Sequence, residues 1–148
     1  MKFALHAARR VLGAAAIGAA TLLPAILATN AFAAGAEGVW ARPSGSSRIE
    51  IASCGNALCG KIIWLKEPRN DVNNPDPAKR ANPLLGTQIV LGMVPTGKGE
   101  SWKGKVYNAE DGKTYTGFIT LEGSNKMKLE GCVLGGLICK GETWSRVK

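Results

Sequence analysis

The sequence holds one histidine, His6, and it falls within the first 33 of 148 residues. That stretch has the make-up of an export signal. Lys2, Arg9 and Arg10 form a basic start, an alanine-rich apolar run covers residues 11–28, and Ala31-Phe32-Ala33 supplies a small-x-small cleavage site. Cleavage is expected after Ala33, and the histidine leaves with the leader. A chain without histidine cannot run a Ser-His-Asp or Cys-His mechanism, and it lacks the commonest zinc ligand and the side chain that titrates near neutrality. An enzyme is therefore not expected, nor a metal or other cofactor. The remaining candidates are carboxylate pairs such as Asp71 with Asp76, and separation in sequence cannot place those at a catalytic distance.

Other absences narrow the class further. No cysteine stands at the cleavage point, so lipoprotein processing has no acceptor. Gly13 follows Arg9-Arg10 where a twin-arginine signal wants an apolar residue, which favours the general secretory route. The competing reading of the leader, an uncleaved anchor, is opposed by Pro24 inside a run that only approaches the ~20 residues of a bilayer span. Once the signal is cleaved, no membrane span is expected. Basic clusters are also missing. Beyond residue 33 there are 16 basic and 11 acidic residues, a net charge of +5 scattered along the chain, and nucleic acid is not an expected partner. The expected location is the bacterial periplasm or the exterior.

What is present is a β-pattern. Residues 34–148 suffice for one domain with a modest core. Helical periodicity of useful length is absent, and short β-like runs alternate with turn residues about every ten positions, as in a meander barrel or sandwich. Eight strands are predicted at 38–42, 47–53, 60–66, 87–94, 101–108, 113–121, 126–133 and 137–147. The fold class is thus all-β, a small antiparallel up-and-down barrel.

Four cysteines remain, and in a small exported domain an even count implies disulfides. With Asn56-Ala57 as one hairpin tip Cys54 opposes Cys59, and with Gly135-Gly136 as another Cys132 opposes Cys139; opposed Cα atoms ~4.5–5.5 Å apart can be bridged. Alternation from these registers puts both bridges outside, with Arg48, Glu50, Lys128 and Glu130. It turns Ile49, Ile51, Ile62, Trp64, Trp102, Val106, Tyr115, Ile119, Leu121, Met127, Leu129, Val133, Ile138 and Trp144 inward, with Gly60, Gly104, Gly117 and Gly131. Lys140 and Glu142 also fall on this inner face. A β-bulge would turn them outward, and that placement is preferred because buried charge is costly.

Gly38-Val39-Trp40 at one end and Trp144-Ser145-Arg146 at the other resemble the kernel of lipocalin-like barrels, in which a late arginine packs across the tryptophan of the first strand. These motifs combine with Cys59-Gly60-Lys61-Ile62-Ile63-Trp64-Leu65, Asn74-Pro75, Asn82-Pro83-Leu84-Leu85-Gly86 and Trp102-Lys103-Gly104-Lys105-Val106-Tyr107. The set resembles the bacterial family catalogued as domain of unknown function 2147. The resemblance implies export and a lipocalin-like barrel, and no settled activity.

Residues 67–86 make a long loop with Pro68, Pro75, Pro77 and Pro83, either a lid or an irregular connection across the barrel end. Asp71, Asn73 and Asp76 imitate the start of a calcium loop, but Pro75, Asp76 and Asn82 stand where a ligand, the turn glycine and the last glutamate belong. Residues 92–98 imitate a P-loop without its hydroxyl residue or helix, and read as a turn. Two functions remain. One is a binding module for a small, partly apolar ligand held by Trp64, Trp102, Tyr115 and Trp144 with Asp71 and Asn74. The other is a filled barrel that acts through its surface on an envelope component.

Overall fold

A computed structural model describes residues 35–147; the expected leader and its cleavage site, like Lys148, lie outside the described residues. The predicted alternation is visible in β2, where Ile49 and Ile51 are buried, Glu50 between them is half-buried, and Arg48 and Ala52 on either side are exposed. Among the described residues, eight strands form a closed barrel with nearest-neighbour antiparallel pairing: β1 Gly38–Ala41, β2 Ser47–Cys54, β3 Ala57–Leu65, β4 Gln88–Pro95, β5 Ser101–Asn108, β6 Lys113–Leu121, β7 Lys126–Val133 and β8 Ile138–Arg146. Short 3₁₀ turns cover Pro77–Lys79 and Leu134–Gly136. Among the described residues no helix is long and apolar enough to cross a membrane.

The closing seam is short. β1 and β8 pair only at Trp40↔Arg146 and Ala41↔Ser145. Arg146 reinforces it, with its Cζ 4.2 Å from the centroid of the Trp40 ring. Its guanidinium donates to the carbonyls of Ser124, Glu37 and Gly35, each at 2.6 Å. The indole Nε1 of Trp40 donates to Ala36 O at 2.9 Å, so the residues just before β1 fold beneath this end and cap it.

The capped half is filled. Trp40, Trp102, Ile49, Ile51, Leu58, Met93, Ile119 and Met127 are all buried there. Gly117 makes this packing possible, because a Cβ at that position would lie 2.6 Å from Met93 Cε. The other half of the barrel, beneath the β1–β2, β3–β4, β5–β6 and β7–β8 connections, has Ile62, Ile89, Val106, Leu129 and Trp144 arranged around an open space.

Two details depart from the sequence-based register. The β2–β3 turn is Gly55-Asn56, so Cys54 pairs with Ala57 and Cys59 with Ala52; the Cys54–Cys59 disulfide runs diagonally, with its Cα atoms 5.7 Å apart. A bulge lies between Arg48↔Trp64 and Ile49↔Ile62, inserting one residue in β3. Two-residue periodicity cannot count an inserted residue, and the slip reverses the side chains beyond it. Trp64 therefore faces outward, 41 % exposed, with Arg48 stacked on it at 5.1 Å. In the other hairpin the Cys132–Cys139 disulfide joins directly opposed residues, as expected. Its tip holds Leu134 at φ 52, a left-handed conformation that costs a non-glycine residue roughly 1–2 kcal/mol.

Two outcomes are expected from this geometry. Arg146→Lys keeps the charge but loses the planar stack and part of the carbonyl clasp, a cost of about 2 kcal/mol. Thermal unfolding should then fall by roughly 8 °C, against little change for Lys98→Ala at an exposed turn. Secondly, comparing acrylamide quenching before and after Trp64→Phe should assign most of the quenchable tryptophan emission to Trp64; equal quenching would return that indole to the interior.

Candidate functional site: a polar-rimmed cavity in the open half of the barrel

The unfilled half contains a cavity of about 830 Å³, open to solvent at the loop end. Its depth is set by Trp144, whose side chain is buried next to the packed half and also faces the cavity. Around it Leu129, Val106, Ile62 and Ile89 supply apolar wall, and Leu84 reaches in from the long loop. Gly131 widens the cavity on β7, and Tyr115, Val133 and Ile138 continue the wall toward the mouth.

Charged side chains also line the space, Lys66, Glu67, Arg69, Glu110 and Asp111 from the loops and Arg42, Lys140 and Glu142 from the strands and their ends. The β7–β8 ladder is unbroken from Lys126↔Ser145 to Val133↔Ile138, so Lys140 and Glu142 do line the interior, contrary to the outward placement preferred from sequence. No bulge intervenes, and the carboxylate finds a partner that meets its desolvation cost. Arg42 Nε and Nη2 donate to Glu142 Oε1 and Oε2 at 2.5 and 3.0 Å, a two-pronged pair across 100 residues of chain. Trp144 Nε1 donates to the same Oε1 at 2.6 Å. Burial pushes the Glu142 carboxyl up, but the bonds from Arg42 and Trp144 outweigh it and the net pKa lies below the ordinary value. The same hydrogen bond to Glu142 raises the Arg42 guanidinium.

The partner of Glu142 is Arg42 on the neighbouring chain segment, not Lys140 on its own strand. The signal was present in the closing motif. If Trp40 opposes Arg146, antiparallel counting places Arg42 diagonally beside Glu142, within reach of long side chains.

The long loop is a strap fastened to the barrel. Asp71 is buried, accepts from Tyr107 Oη at 2.8 Å and from Asn74 Nδ2 at 2.7 Å, and receives the rest of the loop through its own N–H to Asn82 O. Burial, followed by the bond to Asp71, pushes the Tyr107 hydroxyl up to about 12. Asn73 donates to Ala109 O and Glu110 O, and Arg69 pairs with Glu110. Asn73 O lies where a Cβ on Gly112 would stand, and Gly112 takes φ 69, so only glycine fits that turn. Asp76 caps the 3₁₀ turn through Ala78 N. The calcium-like spacing is thus used for loop architecture, and among the described residues no three candidate ligands gather as a metal site.

Of the residues singled out from sequence, Trp144 and Tyr115 line the cavity. Trp102 faces inward but lies in the packed half, away from the cavity. Trp64 is outside the barrel because of the bulge, and Asp71 and Asn74 hold the strap without lining the space. The sequence reasoning missed Arg42 and Tyr107. Tyr115 Oη donates to Asp111 Oδ2 at 2.5 Å at the rim, which lowers the aspartate and raises the phenol.

With this geometry established, comparison with known proteins adds two findings. A solved structure titled "Protein HP1028 from the human pathogen Helicobacter pylori belongs to the lipocalin family" superposes with a TM-score of 0.67 at 23 % identity, over 76 % of this chain and 82 % of that one. The likeness supports the fold, a lipocalin-like barrel. No curated protein matches by sequence. The model of the family described as "Uncharacterized protein conserved in bacteria (DUF2147)" matches residues 38–146, the whole barrel from the first residue of β1 to the last of β8, and the chain belongs to that family.

Proposed function

We propose that this protein is an exported, non-catalytic carrier that holds a small, partly apolar ligand in the open half of its barrel. The observation that carries the proposal is the 830 Å³ cavity, with apolar wall around Trp144 and Leu129 and a polar lining that includes the Arg42–Glu142 pair. Small-molecule sites have this size and this mixture. Eight-stranded barrels are either filled with side chains or hold one ligand; this one is filled in its capped half and open in the other, which supports the second use there. Two disulfides and the composition of the leader support export into an oxidising compartment.

The chemistry of the wall favours binding over reaction. Glu142 is held ionised by its two-pronged pair with Arg42, which suits an anchoring role better than proton transfer. The alternative, action through the surface on an envelope component, draws on exposed Trp64 with its Arg48 stack.

Titration of the protein with a fluorescent fatty-acid analogue or another amphiphile should saturate and change tryptophan emission. The change should persist in Trp64→Phe and vanish in Trp144→Phe, because only the second indole faces the cavity. Emission that stays constant with every amphiphile, or a response abolished by Trp64→Phe, would sink the cavity proposal and favour the surface.

A pH dependence follows from the same residues. The Glu142 pKa is depressed in the folded state, so its contribution to stability is complete above the ordinary glutamate value of 4.5 and is lost as pH falls through the lower folded value. Trp144 emission should show an acid transition below about pH 4.5 that Glu142→Gln removes. Persistence of the transition in that variant would assign it elsewhere.

A further inference from the structure

The tip of the β7–β8 hairpin has a composition that neither the fold nor the cavity explains. Leu134 and Leu137 are 69 % and 85 % exposed, and Val133 and Ile138 immediately below them are exposed as well. Turns of this kind are normally built from glycine, asparagine and aspartate, since those residues accept left-handed backbone without steric cost. Here Gly135 and Gly136 follow that rule, and Leu134, at φ 52, does not. An asparagine at this position would suit both the backbone and the solvent. A leucine there is unfavourable on both counts unless its side chain meets an apolar phase.

Three further observations say what that phase is. Val133 and Ile138 belong to the cavity wall, so apolar surface runs without a break from the hairpin tip into the interior. The hairpin is stiffened just below its tip by the Cys132–Cys139 disulfide; a small exposed apolar tip inserts into a deformable phase, whereas a folded partner would have to offer a matching pocket. Charge points the same way. Beyond residue 33 the chain carries +5, and Lys140, two residues from Ile138 on the same inner face, makes no ion pair among the described residues. A positively charged protein is drawn to anionic lipid within a Debye length.

We propose that the tip of the β7–β8 hairpin docks on an anionic lipid surface and sets the mouth of the cavity against it. Leu134 and Leu137 enter the interface between headgroups and acyl chains, and Val133 with Ile138 forms the threshold over which an apolar ligand passes. The docking role stands beyond the carrier proposal, although the two together describe loading from a lipid phase.

The test is flotation with vesicles of phosphatidylethanolamine containing phosphatidylglycerol. Residues 38–146 contain the complete closed barrel and both disulfides, so the protein used is the chain without its first 33 residues, which keeps the apolar run at 11–28 out of the assay. The wild type should float, and the double variant Leu134→Asn with Leu137→Ser should float on the order of tenfold less. Because asparagine relieves the left-handed leucine, the variant should unfold at the same temperature as the wild type or higher, which separates lost docking from lost folding. Uncharged phosphatidylcholine vesicles should bind the wild type less than the anionic ones.

The proposal is overturned if the wild type stays with the soluble fraction or if the double variant floats equally well. It is also overturned if the wild type proves to be a dimer that the double variant dissolves, since the leucines would then cover each other. Affinity for a fluorescent amphiphile in the absence of vesicles is measured on both proteins. Absence of binding there defeats the carrier proposal and leaves the flotation result to decide the docking.

Discussion

A barrel of eight strands must close on itself, and here the first strand has only four residues with which to do so. Two paired positions join β1 to β8, far fewer than the eight that join β7 to β8. An unpaired edge at this seam would expose backbone donors and acceptors and leave the barrel an open sheet. Arg146 compensates. It covers the Trp40 ring and binds three carbonyls from two separate segments, so the seam is held by side chain where the ladder is short. The interior follows from this clasp, since Trp40 at its centre fixes one end as solid and leaves any open volume at the other.

That asymmetry explains why a single sequence carries both a packed core and a cavity. Trp102 and Met93 fill the capped half across the space left by Gly117, whereas Gly131 and the divergence of the loops leave the opposite half open. Trp144 stands at the boundary, apolar on its packed side and hydrogen-bonded to Glu142 on the other. The ion pair with Arg42 is affordable there because both groups remain partly exposed at the mouth, about 34 % and 28 % for the two side chains.

Much of this was legible in the sequence. The strands β5, β6 and β7 fall at the residues where alternation and turn signals place them, and the closing motif identified Trp40 and Arg146 before any coordinates. The face of Trp64 was not legible, because the bulge at Ile62 and Trp64 leaves no mark on a two-residue pattern. Nor was the depth of Trp102. Alternation separates inside from outside but does not say how far along the axis a side chain lies, and the cavity occupies only one end. Asp71 looked like a residue for a ligand because it is acidic and on a proline-rich loop; its partner Tyr107 lies 36 residues away, a distance no local pattern spans.

The clasp at the seam also bears on when the barrel can exist. Arg146 meets Glu37 and Gly35 across 109 and 111 residues, so the contact that closes the sheet joins its first-made and last-made segments. Until β8 has been synthesised, the chain offers only an open succession of hairpins, and the loop entropy of joining its ends has still to be overcome. Deferring closure to the final strand means that no partial chain of this topology can complete the barrel, so its sheet edges stay unpaired until β8 has been made.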